Sequence, residues 1–205
     1  MSRVAGVNLL PLVLTSGWAS GINAYGVVAV MGILGRVAGL DQVPAAIQRP
    51  TVIAVAAAMF LVEFVADKVP YIDSLWDTVS TLIRPAVGAT LGYLIAGDPD
   101  AGTHAVDQAA YAVAGGGTAL ASHLVKAGLR LAINASPEPF TNIAVSTGED
   151  ATVTAVIALA LYHPWVALTI ATLLFVIGLI LVLVLFRLVV KGWRRRRTRR
   201  ATARA

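Results

Sequence analysis

Apolar residues occur along this chain in long stretches that short polar clusters separate. The clearest stretch is Trp165–Phe186, which contains no charged side chain. A helix of this length, rising about 1.5 Å per residue, is long enough to cross a hydrocarbon core roughly 30 Å thick. The pattern therefore predicts a transmembrane helix near the C-terminal end of the apolar region.

Three further apolar segments predict helices that are interrupted or that end in polar residues: Val7–Gly35, Thr51–Val65 and Ala105–Ile133. The first contains serine and glycine pairs before Asn23, which favours either two short helices or one helix broken within the membrane. Pro70 follows the second segment and stops its helix. We expect each segment to lie in the membrane.

Two segments are too short to span a membrane alone, since Pro85–Ala96 and Ala151–Tyr162 have only about a dozen apolar residues each. The polar stretches Tyr71–Arg84 and Ser136–Asp150 precede them. We expect two short partial-membrane helices here. The fold class is therefore an all-α integral membrane protein with about four transmembrane helices plus two short partial-membrane helices.

The order of helix, proline-containing polar stretch and short helix occurs twice, across Thr51–Ala96 and across Ala105–Tyr162. The two copies share this order without sequence identity, so the pattern indicates an internal pseudo-repeat. By analogy, paired interrupted segments point to the binding sites of inverted-repeat transporters.

Pairs of glycines four residues apart favour close packing of membrane helices, as at Gly17 and Gly21 and at Gly88 and Gly92. Packing within one chain explains these pairs, and a homo-oligomer interface is the alternative. The glycine spacing therefore leaves the oligomeric state open.

Composition supports a membrane location, because 58% of the residues are hydrophobic and 13% are charged, against roughly 45–50% and about 25% in soluble domains. The net charge of +5 arises from the C-terminal tail, and the body is acidic, which argues against a nucleic-acid partner. We expect a single multipass domain over residues 1–186 in the cell (inner) membrane. The arginine-rich tail, residues 187–205, is expected to be flexible, cytoplasmic and in contact with anionic lipid head groups.

Charged residues form two stripes on the predicted helices. Glu63 and Asp67 share one helix face at a spacing of four residues. A basic stripe follows a second helix at the spacings i, i+3, i+7 and i+11, and it consists of His123, Lys126, Arg130 and Asn134. Ionisable groups at membrane depth cost at least about 2.5–3.5 kcal/mol each, so they usually find partners. We therefore expect Glu63 or Asp67 to contact the basic stripe.

Two interpretations of these charges are open. In the first, they are structural ion pairs that hold the helices in register. In the second, they line a polar cavity that binds or relays an ion or a charged solute, which makes a small transporter or channel-like protein the leading function. The candidate site residues are Glu63, Asp67, Asp73, Asp77, Arg84, His123, Lys126, Arg130, Asn134, Glu138, Asn142, Glu149 and Asp150.

The segment Asn134–Asn142 contains two prolines and cannot be helical throughout, so we expect a rigid polar loop. Glu138, Glu149 and Asp150 offer, with the two asparagines that end the segment, hard oxygen ligands of the kind that magnesium or calcium prefers. No EF-hand spacing is present, so the presence of a metal is left open.

Catalytic signatures are absent from the sequence. The chain has no cysteine, which excludes thiolate catalysis and cysteine metal sites. It also has no nucleophile elbow, phosphate loop or H-E-x-x-H zinc helix, so we favour a non-enzymatic protein without a cofactor. The alternative to transport is a membrane scaffold, and a lipid-head-group-binding or lipid-modifying protein ranks third.

Four stretches carry a family resemblance: LTSGWASGINAY at Leu14–Tyr25, VEFVADKVPYIDSLWDTV at Val62–Val79, IRPAVGA at Ile83–Ala89 and HLVKAGLRLAINASPEPFTNIAVSTGED at His123–Asp150. They resemble the Domain of Unknown Function 4126 family of bacterial membrane proteins. The similarity extends over most of the body, roughly from Leu9 to Val184, and excludes the arginine-rich tail. It implies a multipass membrane location and transfers no catalytic residue.

Overall fold

The computed structural model describes residues 9–69, 72–97, 104–134 and 139–202, which contain helices and no strand. Six helices follow one another along these residues: α1 (Leu9–Ala38), α2 (Pro50–Ala66), α3 (Ile72–Ala96), α4 (Ala105–Asn134), α5 (Pro139–Tyr162) and α6 (Pro164–Thr202). Among them, α1, α3, α5 and α6 are long and apolar enough to cross a membrane. The predicted all-α membrane fold with four such helices is confirmed.

The predicted boundaries of the two short partial-membrane helices are wrong. α3 begins at Ile72 and α5 at Pro139, so the polar stretches form the first halves of long helices. The length rule fails here because the polar side chains pair with neighbouring helices inside the protein. The shorter apolar helix is instead α2, with 17 residues. Helix, connection and helix still recur in the order α2–α3 and α4–α5.

The connection between α4 and α5 is shorter than the expected polar loop. α4 ends at Asn134 and α5 begins at Pro139, and residues 135–138 lie outside the described residues. Proline is favoured in the first turn of a helix, where its missing N–H has no partner to lose. Pro139 therefore starts a helix, and Asn142 belongs to that helix.

α1 is broken at Asn23, whose backbone is extended (φ −148°, ψ 95°) inside an otherwise helical segment. Of the two alternatives that the sequence left open, two short helices are the observed one, and they meet at Asn23. Before the break, Gly17 lies against Gly115 and Gly21 lies against Ala119. Residue numbers in these contacts increase together along the two helices, so this half of α1 runs parallel to α4.

The second half of α1 runs in the opposite sense. Gly26 contacts Phe60 and Gly32 contacts Ile53, so this half is antiparallel to α2. α2 runs in the same direction as α4, because Glu63 and His123 share Arg84 and, one turn further along both helices, Asp67 pairs with Lys126. The two halves of α1 therefore form a re-entrant hairpin, which has its tip at Asn23 and both ends on the same side of the bundle. α1 thus has the length and composition of a membrane-crossing helix, but its chain turns back at Asn23.

Glycines allow α1, α3 and α4 to meet at backbone distance. A Cβ atom added at Gly17 would lie 2.5 Å from the carbonyl oxygen of Gly115, and one added at Gly88 would lie 2.7 Å from the same oxygen. This distance leaves no room for a side chain at either glycine. Small residues at membrane helix interfaces allow the backbones of two helices to approach this closely. These glycines therefore pack within the chain.

α6 covers one side of this centre and presents an apolar surface. Only 11% of its most apolar window, within Pro164–Leu188, is buried inside the protein. A helix that is apolar on all sides and exposed suits contact with lipid. The helix continues beyond this apolar part, through most of the basic tail, to Thr202.

Candidate functional site

Most of the candidate site residues come together in one buried cluster between α2, α3, α4 and α5. The cluster contains Glu63, Asp67, Asp73, Asp77, Arg84, His123, Lys126, Arg130, Asn142, Glu149 and Asp150. All of these residues are buried except Glu149, whose side chain is 18% exposed. Of the other two candidates, Asn134 is the last residue of α4 and Glu138 lies outside the described residues.

One half of the cluster surrounds Arg84, in the middle of α3. Its guanidinium donates to Glu63 at 2.7 Å and to Asp77 at 2.9 Å. Its Nη1 atom also lies 2.7 Å from Nδ1 of His123. The side chains of Arg84 and Glu63 are both 1% exposed, so this ion pair is removed from solvent. We call these four residues the Arg84 group.

The hydrogen bonds determine the tautomer of His123. Arginine stays protonated in proteins and has only donors, so Nδ1 of His123 accepts from Arg84. Nε2 lies 3.0 Å from the hydroxyl of Thr81, which donates its own proton to the carbonyl oxygen of Asp77. The neutral ring therefore carries its proton on Nε2, and a second proton on Nδ1 would displace Arg84.

The other half of the cluster surrounds Lys126 and Arg130 on α4. Lys126 Nζ lies 2.8 Å from Asp67 and 3.5 Å from Glu149. Arg130 pairs with Glu149 at 2.6 Å. It also lies 3.8 Å from Asp67 and 3.7 Å from Asp73. The contact between Asp67 and Lys126 confirms the expected pairing of the acidic stripe with the basic stripe.

Asn142 connects the start of α5 to the ends of α4 and α2. Its Oδ1 atom accepts a hydrogen bond from Arg130 at 2.6 Å, and its Nδ2 atom donates to the carbonyl oxygen of Asp67 at 3.0 Å. The side chain is 1% exposed. An amide at this position therefore satisfies both a buried cation and a carbonyl group at the end of a helix.

Lys68 is a member of the cluster that sequence reasoning did not include. It donates to Ser146 at 3.1 Å and lies 3.8 Å from Asp150. Partial burial lowers the pKa of Lys68 below its ordinary value, although the nearby carboxylates oppose this shift. We use the name Lys126 group for the residues Asp67, Lys68, Asp73, Lys126, Arg130, Asn142, Glu149 and Asp150.

The tip of α1 reaches the Lys126 group. In a continuous helix the N–H of Gly26 would bond the carbonyl of Ile22, but here it bonds Oδ1 of Asn23 at 2.8 Å. Lys126 donates to the freed Ile22 carbonyl at 3.0 Å, and Asn23 donates to Asp150 at 2.8 Å. Interrupted backbone at membrane depth needs such partners. Asn23 is thus a site residue that sequence reasoning missed, and its only signal was the predicted break.

Among the described residues, carboxylates outnumber cations in each half of the cluster. In the Arg84 group, two carboxylates face one guanidinium and a neutral imidazole. In the Lys126 group, four carboxylates face three cations. One carboxylate oxygen on each of Glu63, Asp67 and Asp77 has no hydrogen-bond donor among the described residues. Each group therefore has one surplus negative charge when all its carboxylates are ionised.

The cluster extends from one end of the bundle to its middle. Asp73 lies at the start of α3, whereas Arg84 lies about 16 Å further along the same helix at roughly 1.5 Å per residue. Glu149 lies about 15 Å from the start of α5 on the same basis. The charges therefore form a polar column, which begins at the α2–α3 and α4–α5 connections and ends beside Asn23.

The arrangement favours ion pairing over metal coordination. Among the described residues, no group of three or more aspartate, glutamate or histidine side chains could hold a metal ion. Of the oxygen ligands suggested for magnesium or calcium, Glu149 pairs with Arg130 and Asp150 accepts from Asn23. These oxygens are therefore engaged by protein groups.

Residues 10–184 match the model of a family described as Domain of unknown function (DUF4126). The chain belongs to the DUF4126 family. The match covers the chain from α1 to the apolar part of α6, so both charge groups and the tip of α1 lie within the DUF4126 region. No curated protein and no solved structure was found to match the chain.

This DUF4126 protein has a cavity of about 250 Å³ beside the Lys126 group. It lies between α1, α4, α5 and α6, and its walls are mostly apolar, with Trp18 and Phe175 among them. Lys126 and Glu149 are its charged lining residues. Sequence reasoning did not find this cavity because four helices that are distant in the chain contribute to its walls.

Proposed function

We propose that this protein is a small membrane transporter in which the buried charge cluster binds and releases protons or other monovalent cations. The observation that carries the proposal is the surplus of buried carboxylates beside the break in α1. Each ionised group at membrane depth costs at least about 2.5–3.5 kcal/mol. One monovalent cation in each group would balance the surplus charge.

The Arg84 group is suited to a proton. Glu63 and Asp77 each have one oxygen without a donor among the described residues, so either can be protonated while Arg84 keeps its ion pair with the other. The neutral ring of His123 contacts the same guanidinium. Proton uptake and release can therefore change the partners of Arg84 without moving a helix.

The break in α1 supports the same proposal. Many secondary transporters form their binding sites near the middle of the bilayer from helices that are interrupted there. In this protein the interruption supplies the Ile22 carbonyl and the Asn23 amide to the Lys126 group. The Ile22 carbonyl and the Asn23 amide lie where the polar column reaches the centre of the bundle.

We place the protein in the inner membrane of the cell with its C-terminus in the cytoplasm, where the basic tail can contact anionic lipid head groups. α6 runs parallel to α4, because Gly178 contacts Val125 and Val182 contacts Gly128. The basic tail is therefore on the same side as the α4–α5 connection. On this proposal the polar column begins at the cytoplasmic side.

A membrane scaffold is the second candidate function. It is favoured by the ion pairs, which join α3 to α2 through Arg84 and Glu63 and join α4 to α5 through Arg130 and Glu149. Removal of one partner from a buried ion pair typically costs about 3–5 kcal/mol. The scaffold interpretation therefore predicts that a substitution which leaves a buried charge of these pairs without any partner lowers stability.

Asp77→Asn distinguishes the two candidates. The substitution leaves Arg84 paired with Glu63 alone, so the charges of the Arg84 group balance and the fold should be retained. Transport predicts normal folded yield and thermal midpoint, together with loss of proton flux. The flux is measured in liposomes that contain purified protein and a pH-sensitive dye, after a potassium diffusion potential is imposed.

Asp107→Asn is the matched control, because it makes the same chemical change at an exposed position of α4 outside the cluster. It should keep the flux of the parent protein. The scaffold predicts that the parent shows no flux above protein-free liposomes. That result would reject the transporter.

A further inference from the structure

The cavity beside the Lys126 group has the features of a small-molecule site. Such sites are mostly apolar and contain a few placed polar groups. Trp18, Leu174 and Phe175 contribute to the apolar lining, and Lys126 and Glu149 contribute charge. Both charged side chains are held in position by ion pairs with the rest of the cluster. The cavity therefore presents fixed charges to a ligand.

The charge at the cavity favours a cation. Lys126 already donates to Asp67 at 2.8 Å and to the Ile22 carbonyl at 3.0 Å, which leaves it little capacity to bind an anion. Glu149, at 18% side-chain exposure, is more exposed than the other carboxylates of the cluster that form ion pairs. The Lys126 group also holds one surplus negative charge. A ligand with a single positive charge would balance it.

We propose that the cavity binds a small organic cation, an ammonium group with an apolar or aromatic substituent, and that this cation is the transported solute. Its ammonium group lies against Glu149 and its substituent against the apolar wall. The rings of Trp18 and Phe175 add surfaces that attract a cation. This inference rests on the proposed transport function and names its substrate class.

The position of the cavity fits a solute that enters from the bilayer. Leu174 and Gly178 line it and lie near the middle of the apolar part of α6, Pro164–Leu188. That part of α6 is largely exposed at the outside of the bundle. An apolar ammonium compound that has partitioned into the membrane therefore meets the cavity at the depth of Glu149.

Two glycines provide a matched test of the cavity. A Cβ atom added at Gly148, which lines the cavity, would meet nothing within 4 Å, and the same is true of Gly117, which does not line it. Gly148→Leu would add a large side chain to the cavity lining, whereas Gly117→Leu adds the same side chain elsewhere. Both changes replace an exposed helical glycine by a better helix former and leave every charge in place, so both variants should fold.

Binding is measured by equilibrium dialysis of the purified full chain in detergent. The probes are benzyltrimethylammonium, the anion benzylsulfonate and the neutral analogue neopentylbenzene. We expect the parent to bind the cation at least roughly tenfold more tightly than either other probe. Gly148→Leu should weaken binding of the cation by at least about tenfold, and Gly117→Leu should leave it unchanged.

Five results would overturn the proposal or one part of it. Equal binding of the neutral probe and the cation would show that the cavity binds apolar groups without regard to charge. Tighter binding of the anion would show that Lys126, and not Glu149, binds the charged group of the ligand. Unchanged binding of the cation by Gly148→Leu would place the ligand elsewhere. A cation that binds as expected but is not taken up by protein-containing liposomes would keep the site and reject the proposed transport function. Proton flux without binding of the cation would keep the proposed transport function and reject the cavity as a site for the cation.

Discussion

Replacing Arg84 with methionine should destabilise the protein, because it leaves two buried carboxylates without their cation. Glu63 and Asp77 are 1% and 5% exposed, and Arg84 contacts them at 2.7 Å and 2.9 Å. Methionine fills much of the same volume without a charge, so the lost interaction is mainly electrostatic. His123 also loses the donor to its Nδ1 atom.

The expected loss is about 3–5 kcal/mol, the typical cost of removing one partner from a buried ion pair. In a protein of this size each kcal/mol lowers the thermal midpoint by roughly 2–4 °C, so the midpoint should fall by about 6–20 °C. Protonation of a carboxylate removes part of this penalty. The loss from Arg84→Met should therefore become smaller as the pH is lowered.

A triple variant provides the control, in which Glu63→Gln and Asp77→Asn accompany Arg84→Met. A buried ion pair that is replaced as a whole by uncharged groups often costs little, because the desolvation of the charges is avoided. The triple variant should therefore recover most of the stability that the single variant loses.

The measurement is thermal unfolding of the purified variants in one detergent, followed by tryptophan fluorescence, at neutral and at acidic pH. A midpoint for Arg84→Met within a few degrees of the parent would show that Glu63 and Asp77 are not ionised together in the folded protein. A triple variant as unstable as the single variant would show that lost packing, and not stranded charge, causes the effect.

Two further predictions concern packing and topology. Gly88→Ala should destabilise the protein by about 1–3 kcal/mol, because the added Cβ would lie 2.6 Å from the Cβ of Ala119. Gly117→Ala should be neutral or slightly stabilising in the same unfolding assay, because a Cβ added there meets nothing within 4 Å. A reporter fused after Ala205 should be active only if it functions in the cytoplasm, since translocation of the basic tail opposes the positive-inside rule, and an active periplasmic phosphatase at that position would contradict the topology.

The pairing of charges could be predicted from the sequence because it follows from spacing and cost. Glu63 and Asp67 share a helix face, Lys126 and Arg130 share another, and buried charges need partners. Contact between Asp67 and Lys126 follows from these two facts. The individual partner of each charge cannot be predicted from these two facts, since Glu63 pairs with Arg84.

The extent of the helices and the path of α1 could not be predicted in the same way. A length rule that counts only apolar residues assigns the segment before Pro85 to a connection between helices. In the structure this segment is the first half of α3, and its polar side chains face other helices. The break at Asn23 is visible in the sequence, but the reversal of direction there depends on contacts with α2, α4 and α5. The cavity depends on the same long-range packing.

During synthesis of the chain, α1 is made first, but the partners of its tip are made much later. Asn23 bonds Asp150, 127 positions further on, and the Ile22 carbonyl bonds Lys126, 104 positions further on. Until α4 and α5 are in the membrane, the polar break would face lipid, where each unsatisfied backbone group costs several kcal/mol. We therefore expect the tip of α1 to take its final place in the bundle only after α4 and α5 have supplied these partners.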